Sequence, residues 1–516
     1  MSTKTKIAKA YLVLVAASIL GHGLSMVKEM LIAGYFGVSK VMDSYYAALT
    51  IPNLVSAIVL SPFVLIFVPI FIKHKLADKE AANRLVSIVS NLTLLVLFGA
   101  SLVIFALAGT VIKFASPGLD AQTAASAATV LRIISFSMFF AGVANLLTGI
   151  LNAFEHFFWP AVSGMFITLS TIFLILGFAN EWGVFVVGWG LLIGTALQAL
   201  FLVPVARKHG FRYHKALELG HPDIQRFLNL AFILSLIGLV AGLTGVTNRF
   251  MASWLPGGSI AGLAYADKLV QVPLIIFSGS IASAIYPFVA AQAAGDQLPE
   301  LKDTVSTSIR MAGFIFIPMA VIMMILARPA IQLVFQRGAF DAAATDLTSS
   351  IFVFYTLQLF SIYVIVILQR VLFAFHCLKS IFKITAVTVV LNLVFNLIFM
   401  KLLDPPACGI ALSTSVVSFL AAIMYFITLK KRVQNLHGLA ILKSLARITA
   451  ISLVAGLAVF LAYRGLYDAA YVTIPYQIMN LAAASSAGLA VFLLISAAFR
   501  LEEFQKTYLL FKTKFS

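Results

Sequence analysis

Ionisable side chains are scarce within the apolar stretches of this sequence, so each one found there needs a reason. Lys28 and Glu29 stand in the first long apolar run, and Asp43 opens the second. Arg132 lies in the fourth, Arg249 closes the seventh, Asp267 and Lys268 stand in the eighth, and Arg370 falls late in the tenth. A charge at the centre of a membrane helix costs about 2.5–3.5 kcal/mol on insertion scales, so such groups face a water-filled cavity or a partner. His22 precedes Lys28 by six residues, on roughly the opposite face of a helix but within the height of one cavity. Cationic donors gathered in a cavity are what an anionic head group such as a diphosphate needs. Lys28, Lys268 and His22 are thus candidate substrate-binding residues, with Asp43, Glu29 and Asp267 beside them. The alternative is that Lys28–Glu29 and Asp267–Lys268 are local ion pairs, or that the lysines snorkel to an interface. Adjacent positions on a helix diverge by about 100° and do not face each other well. That argues against pairing and directs Lys28 and Lys268 toward a cavity. Arg132 and Arg370 are expected at the interfaces.

Asn392 and Asn396 lie four residues apart on one face of the eleventh apolar run. Hydrogen bonding between helices is one reading. A cation site formed with Asn248 and nearby backbone carbonyls is the other. Cys377 and Cys408 are the only cysteines and have no metal-ligand spacing, so neither a disulfide framework nor a zinc site is expected. Gly-rich phosphate loops, Ser-His-Asp sets, HExxH and paired carboxylates in a plausible cleft are all missing. The expectation is therefore a protein without enzymatic machinery and without a cofactor.

The elements that must carry these residues follow from composition. Of 516 residues 61% are hydrophobic and only 11% charged, less than half the charge of a soluble domain; the mean hydropathy is +1.03. Lipid must be the solvent for most side chains. The net charge of +17 suggests nucleic acid, but the basic residues sit in short loops between apolar runs and no nucleic-acid motif accompanies them. Lys4, Lys6 and Lys9 before a long apolar run imitate a signal peptide. No small-residue cleavage site follows, so an uncleaved first span is expected.

Fourteen segments are long and apolar enough to span a bilayer, roughly at 9–36, 43–72, 86–114, 124–151, 157–179, 183–206, 225–250, 258–292, 308–335, 345–375, 379–402, 407–429, 444–466 and 474–498. None alternates like a barrel strand, so the expected fold is an all-α polytopic membrane protein. Loop charge sets the expected orientation. Lys73, Lys75, Lys79, Arg84, Arg207, Lys208, Arg212, Lys215, Lys430, Lys431, Arg432 and the basic tail share one side, against Lys40, Lys113, Arg249, Arg328, Arg337, Lys401 and Arg464 on the other. Both termini are expected in the cytoplasm. The polar stretch from Arg207 to Arg226 divides the chain. The expected organisation is an N-lobe at 1–206 (spans 1–6), a cytoplasmic linker at 207–226, a C-lobe at 227–430 (spans 7–12), and 431–516 carrying spans 13 and 14 and a cytoplasmic tail. A faint repeat supports the division: DSYYAALTIPN with Pro69 beyond it, and AYADKLVQVP with Pro287 beyond it.

The stretch GHGLSMVKEMLIAGYFGVSKVMDSYYAALTIPNL is similar to the opening signature of the MurJ/MviN family of lipid II flippases, in the MOP exporter superfamily. YADKLVQVP, LVFQRGAFD and FHCLKSIFKITAVTVVLNLVFNLIF extend the resemblance through both halves in order. It implies two six-helix lobes around a V-shaped cavity, with span 1 against spans 2, 7 and 8. Spans 13 and 14 would form a groove for a polyprenyl tail. It implies a monomeric flippase of the bacterial inner membrane that carries lipid II from the cytoplasmic to the outer leaflet by alternating access. The partners would be an undecaprenyl-diphosphate-linked saccharide, membrane lipids and a monovalent cation or proton as coupling ion.

Departures from the family pattern fall where the diphosphate should bind. His22, Lys28 and Lys268 stand where the family has Arg, Ser56 and Ala57 replace one or two further Arg, and Gln271 takes an often acidic position. Lys is a point charge and cannot reproduce the bidentate fork of Arg. A flippase for another lipid-linked oligosaccharide, such as an O-antigen or exopolysaccharide repeat unit, therefore stays open, followed by a MOP-type small-molecule exporter.

Overall fold

The computed structural model describes the backbone of residues 3–506, apart from 78, 155, 217, 219, 221, 296 and 467–472. Within those helices the side chains of 3–19, 60–77, 79, 81–82, 222–223, 277–290 and 293–294 are outside the description. Lys4, Lys6, Lys9, Pro69, Lys73, Lys75, Lys79 and Pro287 thus lie outside the described side chains, and Lys512 and Lys514 outside the described residues. Every regular element among the described residues is a helix, and no strand is found among them.

Every apolar segment of the sequence coincides with one helix or with a broken pair. Among the described residues, eleven helical segments are long and apolar enough to cross a membrane, or twelve if one pair bent by 41° is a single span. The first two helices, of 34 and 38 residues, have side chains described only from residue 20 and up to residue 59. Contacts divide the chain into two compact units, residues 1–261 with 337–340, and residues 262–336 with 341–516.

The first unit holds α1 (Thr3–Phe36), α2 (Lys40–Ala77), α3 (Lys79–Ala115), α4 (Ala121–Ser135), α5 (Ser137–Ala153), α6 (Phe158–Ser163), α7 (Met165–Trp182), α8 (Phe185–Lys208) and α9 (Pro222–Ala252). It also holds the first residues of α10 (Ser259–Ala294). Its core joins Val86, Ile88 and Val89 of α3, Ala144, Leu146, Ile150 and Leu151 of α5, Leu202 and Ala206 of α8, and Ile224 of α9. Helices in lipid gain little from apolar contact alone and approach closely through small residues. The α7–α8 pair does so: a Cβ on Gly190 would lie 2.6 Å from the Thr171 Cα, and one on Gly194 2.4 Å from the Ile167 Cα. Ser170 Oγ closes the pair by donating to the Gly190 carbonyl at 2.7 Å. The outward face of α3 is correspondingly apolar, with Leu95, Phe98, Leu102 and Phe105 exposed.

One expectation needs correction. Among the described residues α1 packs mainly on α6 and α7, not on α2 or α9. The surface of α2 is already occupied by α3, α4, α5 and α9, which leaves α1 to α6 and α7.

The second unit holds the rest of α10, then α11 (Leu298–Ile325), α12 (Ala327–Phe335), α13 (Ala342–Thr356), α14 (Leu359–Ala374), α15 (Leu378–Leu402), α16 (Ala407–Val433), α17 (Gly438–Leu466) and α18 (Ile474–Ala498). Here α15 pairs with α16, α17 with α18, and α11 packs on both α14 and α17. Phe314 of α11, Ile448 and Ile451 of α17, Phe492 of α18 and Leu501 beyond it form one buried cluster.

Candidate functional site

Lys28 and Glu29 occupy consecutive positions on α1, and the structure pairs them. Lys28 Nζ lies 3.0 Å from Glu29 Oε1, with the side chains 19% and 8% exposed. Sequence reasoning rejected this pair because adjacent Cβ atoms diverge. The four-carbon stem of lysine crosses that angle, and a poorly solvated ammonium gains more from a carboxylate than from a straight stem. The pairing does not exhaust the ammonium, which carries three donors. It can hold Glu29 with one and offer the others to an anion. His22, one and a half turns earlier, is exposed. Arg132 on α4 and Arg370 on α14 are exposed too.

Asp43, in the first turn of α2, is buried at 3% exposure. Its Oδ2 accepts from the Gly258 N–H at 2.5 Å and its Oδ1 from the Ala261 N–H at 2.8 Å. The first N–H groups of a helix have no partner inside it, and Asp43 supplies acceptors to α10 from 215 residues away in sequence. A carboxylate also suits the positive end of the helix dipole. Arg249, in the last turn of α9, donates to the Ile260 carbonyl at 3.3 Å and closes the same corner. Asp43 therefore has a positioning duty: it seats the start of α10 on the start of α2.

Beside this corner lies a cleft of about 270 Å³, lined by Lys40, Asp43, Asp120, Thr123, Ser253 and Leu255 among others. Lys40 Nζ stands 3.1 Å from Asp120 Oδ2. Asp120 is also the N-cap of α4, accepting from the Thr123 N–H and hydroxyl at 3.0 Å each. The Thr123 backbone N–H, then the Lys40 ammonium and the Thr123 hydroxyl, hold the Asp120 carboxyl down at about 2. The pair was not legible beforehand, because its members stand on different helices. Only the capping position of Asp120 was a local signal.

In the second unit Asp267 and Lys268 are half-buried on α10, and Gln271 Nε2 donates to Asp267 Oδ1 at 3.4 Å across one helical turn. Asn392 and Asn396 on α15 are fully buried. Asn396 Nδ2 donates to Asn392 Oδ1 at 3.3 Å, and Asn392 Nδ2 to Ser413 Oγ of α16 at 3.4 Å. Ser413 returns a bond to the Asn392 carbonyl at 3.0 Å. These amides join α15 to α16, as the first of the two readings requires. Asn248 stands half-buried on α9, in the first unit. Among the described residues no group of three His, Cys, Asp or Glu could hold a metal ion.

One polar cluster had no sequence signal. Arg310 of α11 meets both Glu502 and Glu503, with Nε 2.6 Å from Glu503 Oε1. Ser444 of α17 donates to the same Glu503 oxygen at 2.8 Å. The hydrogen bond from Arg310 pulls the Glu502 carboxyl below the usual carboxylate range. The segment after α18 is thereby tied to α11 and α17.

The family model described as "Lipid II flippase MurJ" matches residues 32–481. A probable lipid II flippase MurJ from Synechocystis sp. is 27% identical over 462 residues, which are 85% of either chain. The solved structure of a lipid II flippase MurJ in an inward closed conformation superposes with a TM-score of 0.77 at 23% identity, covering 95% of this chain and 98% of that one. An inward-facing multidrug resistance MATE family transporter of the MOP superfamily gives 0.66 at 15% identity, covering 83% and 99%. The two structural likenesses establish the fold, that of the MOP exporters, for a multi-pass membrane protein. With the family model matching all but the two ends of the sequence, the chain belongs to the MurJ family of lipid II flippases.

Proposed function

We propose that this protein translocates lipid II, the polyprenyl-diphosphate-linked precursor of peptidoglycan, from the cytoplasmic to the outer leaflet of the bacterial inner membrane. The observation that carries this reading is the family match, which extends from α1 through α18. The substrate combines a diphosphate with a long aliphatic tail. The embedded cations supply donors for the first, and the lipid-facing surfaces accommodate the second. In this reading Lys28 and Lys268 hold the diphosphate, with His22 admitting it. Glu29 and Asp267 orient the two ammonium groups and keep each site near neutral when empty. Asp43 acts on the site through α10.

The remaining parts of the reading are a division into two six-span lobes at 207–226, spans 13 and 14 appended to them, cytoplasmic termini and a monomeric state. Transport proceeds by alternating access, coupled to a monovalent cation or proton. No P-loop is present in the sequence, so nucleotide hydrolysis does not drive it.

The test is complementation of a conditional lipid II flippase deletion. Growth on depletion of the resident flippase supports lipid II as substrate. Lysis despite normal membrane abundance would transfer the reading to another lipid-linked oligosaccharide.

A further inference from the structure

The stretch between α8 and α9 does not behave as a spacer. From Gly210 to Ala216 it forms no helix, yet it is pinned along the start of α3. The His214 N–H donates to Ser87 Oγ at 3.0 Å, Tyr213 Oη to Asn91 Oδ1 at 2.8 Å, and Asn91 Nδ2 to the Ala216 carbonyl at 3.0 Å. Arg84 pairs with Glu218 beyond it. Beneath this strap lies a cavity of about 180 Å³, half open to its surroundings. Leu94, Val143, Leu146, Leu147, Ile150 and Val203 make it apolar, and the exposed Arg207 and Tyr213 line it too.

Three features say what it holds. The cavity runs along α5 from Ile150 to Val143, two helical turns or roughly 10 Å deep, so it is a slot for a chain. Its charged lining is cationic. Arg207 lines it, Lys208 and Arg212 are its neighbours in sequence, and no acidic side chain lines it. Arg84 is matched by Glu218, whereas among the described residues no carboxylate pairs with Arg207. Last, Ser90 lines the slot at 6% exposure, and its hydroxyl has no hydrogen-bond partner. Ser87 and Ser101 on the same helix donate to their own i−4 carbonyls. A buried hydroxyl left open at the wall of a cavity is an unmade bond to a guest.

We propose that this slot binds one acyl chain of an anionic phospholipid from the leaflet at the basic end of the unit. Arg207 holds the phosphate, the apolar slot holds the chain, and Ser90 Oγ donates to the ester carbonyl between them. The chemistry matches basic pockets between membrane helices that take anionic lipid head groups. It rests on the first unit alone and does not depend on which substrate is transported.

The test uses the purified full-length protein in detergent with phosphatidylglycerol carrying a diazirine midway along one acyl chain. Irradiation should label peptides of α3, α5 and α8 that contain Leu94, Leu147 and Val203. Unlabelled phosphatidylglycerol should compete about fivefold better than phosphatidylcholine, the factor one interfacial cation confers. Leu147→Trp should fill the slot and abolish labelling there, and Val143→Phe serves if that variant loses its monodisperse elution. Arg207→Gln should remove the preference for the anionic lipid. Labelling spread over outward residues such as Leu102, equal competition by phosphatidylcholine, or stronger displacement by undecaprenyl phosphate would each overturn the proposal. The wild-type competition decides it even if every variant misfolds.

Discussion

Replacing Asp43 by Ala separates a positioning residue from one that touches the substrate. In the wild-type protein both carboxylate oxygens accept backbone N–H groups of the α10 start, at 2.5 and 2.8 Å, in a site where Asp43 is 3% exposed. Hydrogen bonds to a charged group contribute about 1.5–3 kcal/mol each, and removing the acceptor leaves the donors buried and unsatisfied. Losing both should cost the first unit about 3–6 kcal/mol. For a unit of this size that lowers the melting midpoint by roughly 6–24 °C. Asp43→Asn retains one good acceptor but turns an amide N–H₂ toward the second backbone N–H, so about half that loss is expected. The assay is thermal denaturation of the detergent-solubilised protein, read by the fraction that stays monodisperse, alongside a flipping assay on the surviving fraction. Both variants should fall in midpoint in the order wild type, Asn, Ala. If Asp43→Ala melted like wild type yet failed to transport, the clamp would carry no stability. The carboxylate would then have to act on the substrate itself.

Lys28→Ala should abolish transport and remove the ammonium that Glu29 meets at 3.0 Å, so membrane abundance falls; Lys28→Ala/Glu29→Gln should restore abundance but not flipping. Lys268→Ala should abolish transport at normal abundance, and normal flipping by either single variant removes that lysine from the site. Asn392→Leu should destabilise the second unit by about 0.6–1.7 kcal/mol, the range for hydrogen bonds between membrane helices, without altering the ion dependence of flipping. A changed ion dependence would instead make the amide pair an ion site. Asp120 has a folded value near 2, below its ordinary value of about 4. Its pairing with Lys40 therefore stabilises fully above pH ~4 and is lost as pH falls toward 2. Asp120→Asn should differ from wild type in melting by the same amount from pH 5 to 8 and converge with it only below pH ~3; a gap that opened or closed near neutrality would refute the assignment. Collapsing the membrane potential in vesicles without ATP should stop net flipping, since one charge moved through 100 mV yields roughly 2.3 kcal/mol. Transport that persisted without potential or ion gradients would be passive scrambling.

Hydropathy and the rarity of embedded charge were enough to make this chain a helical membrane protein and to single out Lys28, Glu29, Asp43, Asp267, Lys268 and the Asn392–Asn396 pair. Those signals are local: a run of apolar residues becomes a helix wherever it lies in lipid, and a charge within it is conspicuous whatever its neighbours. Which face of each helix turns inward is a different matter. In a soluble protein the apolar stripe answers it, but these helices are apolar nearly all round, and lipid rewards every face alike. The answer then comes from a few polar bonds and close approaches between distant segments. Hence only the tertiary structure could seat Asp43 on the α10 start, 215 positions away, or turn Asn392 toward Ser413. It alone could lay Tyr213 and His214 over α3, with the open Ser90 hydroxyl in the slot beneath. The Lys28–Glu29 pair was missed at shorter range for a related reason. Backbone geometry separates the two Cβ atoms, and the scarcity of solvent around them brings the charges back together.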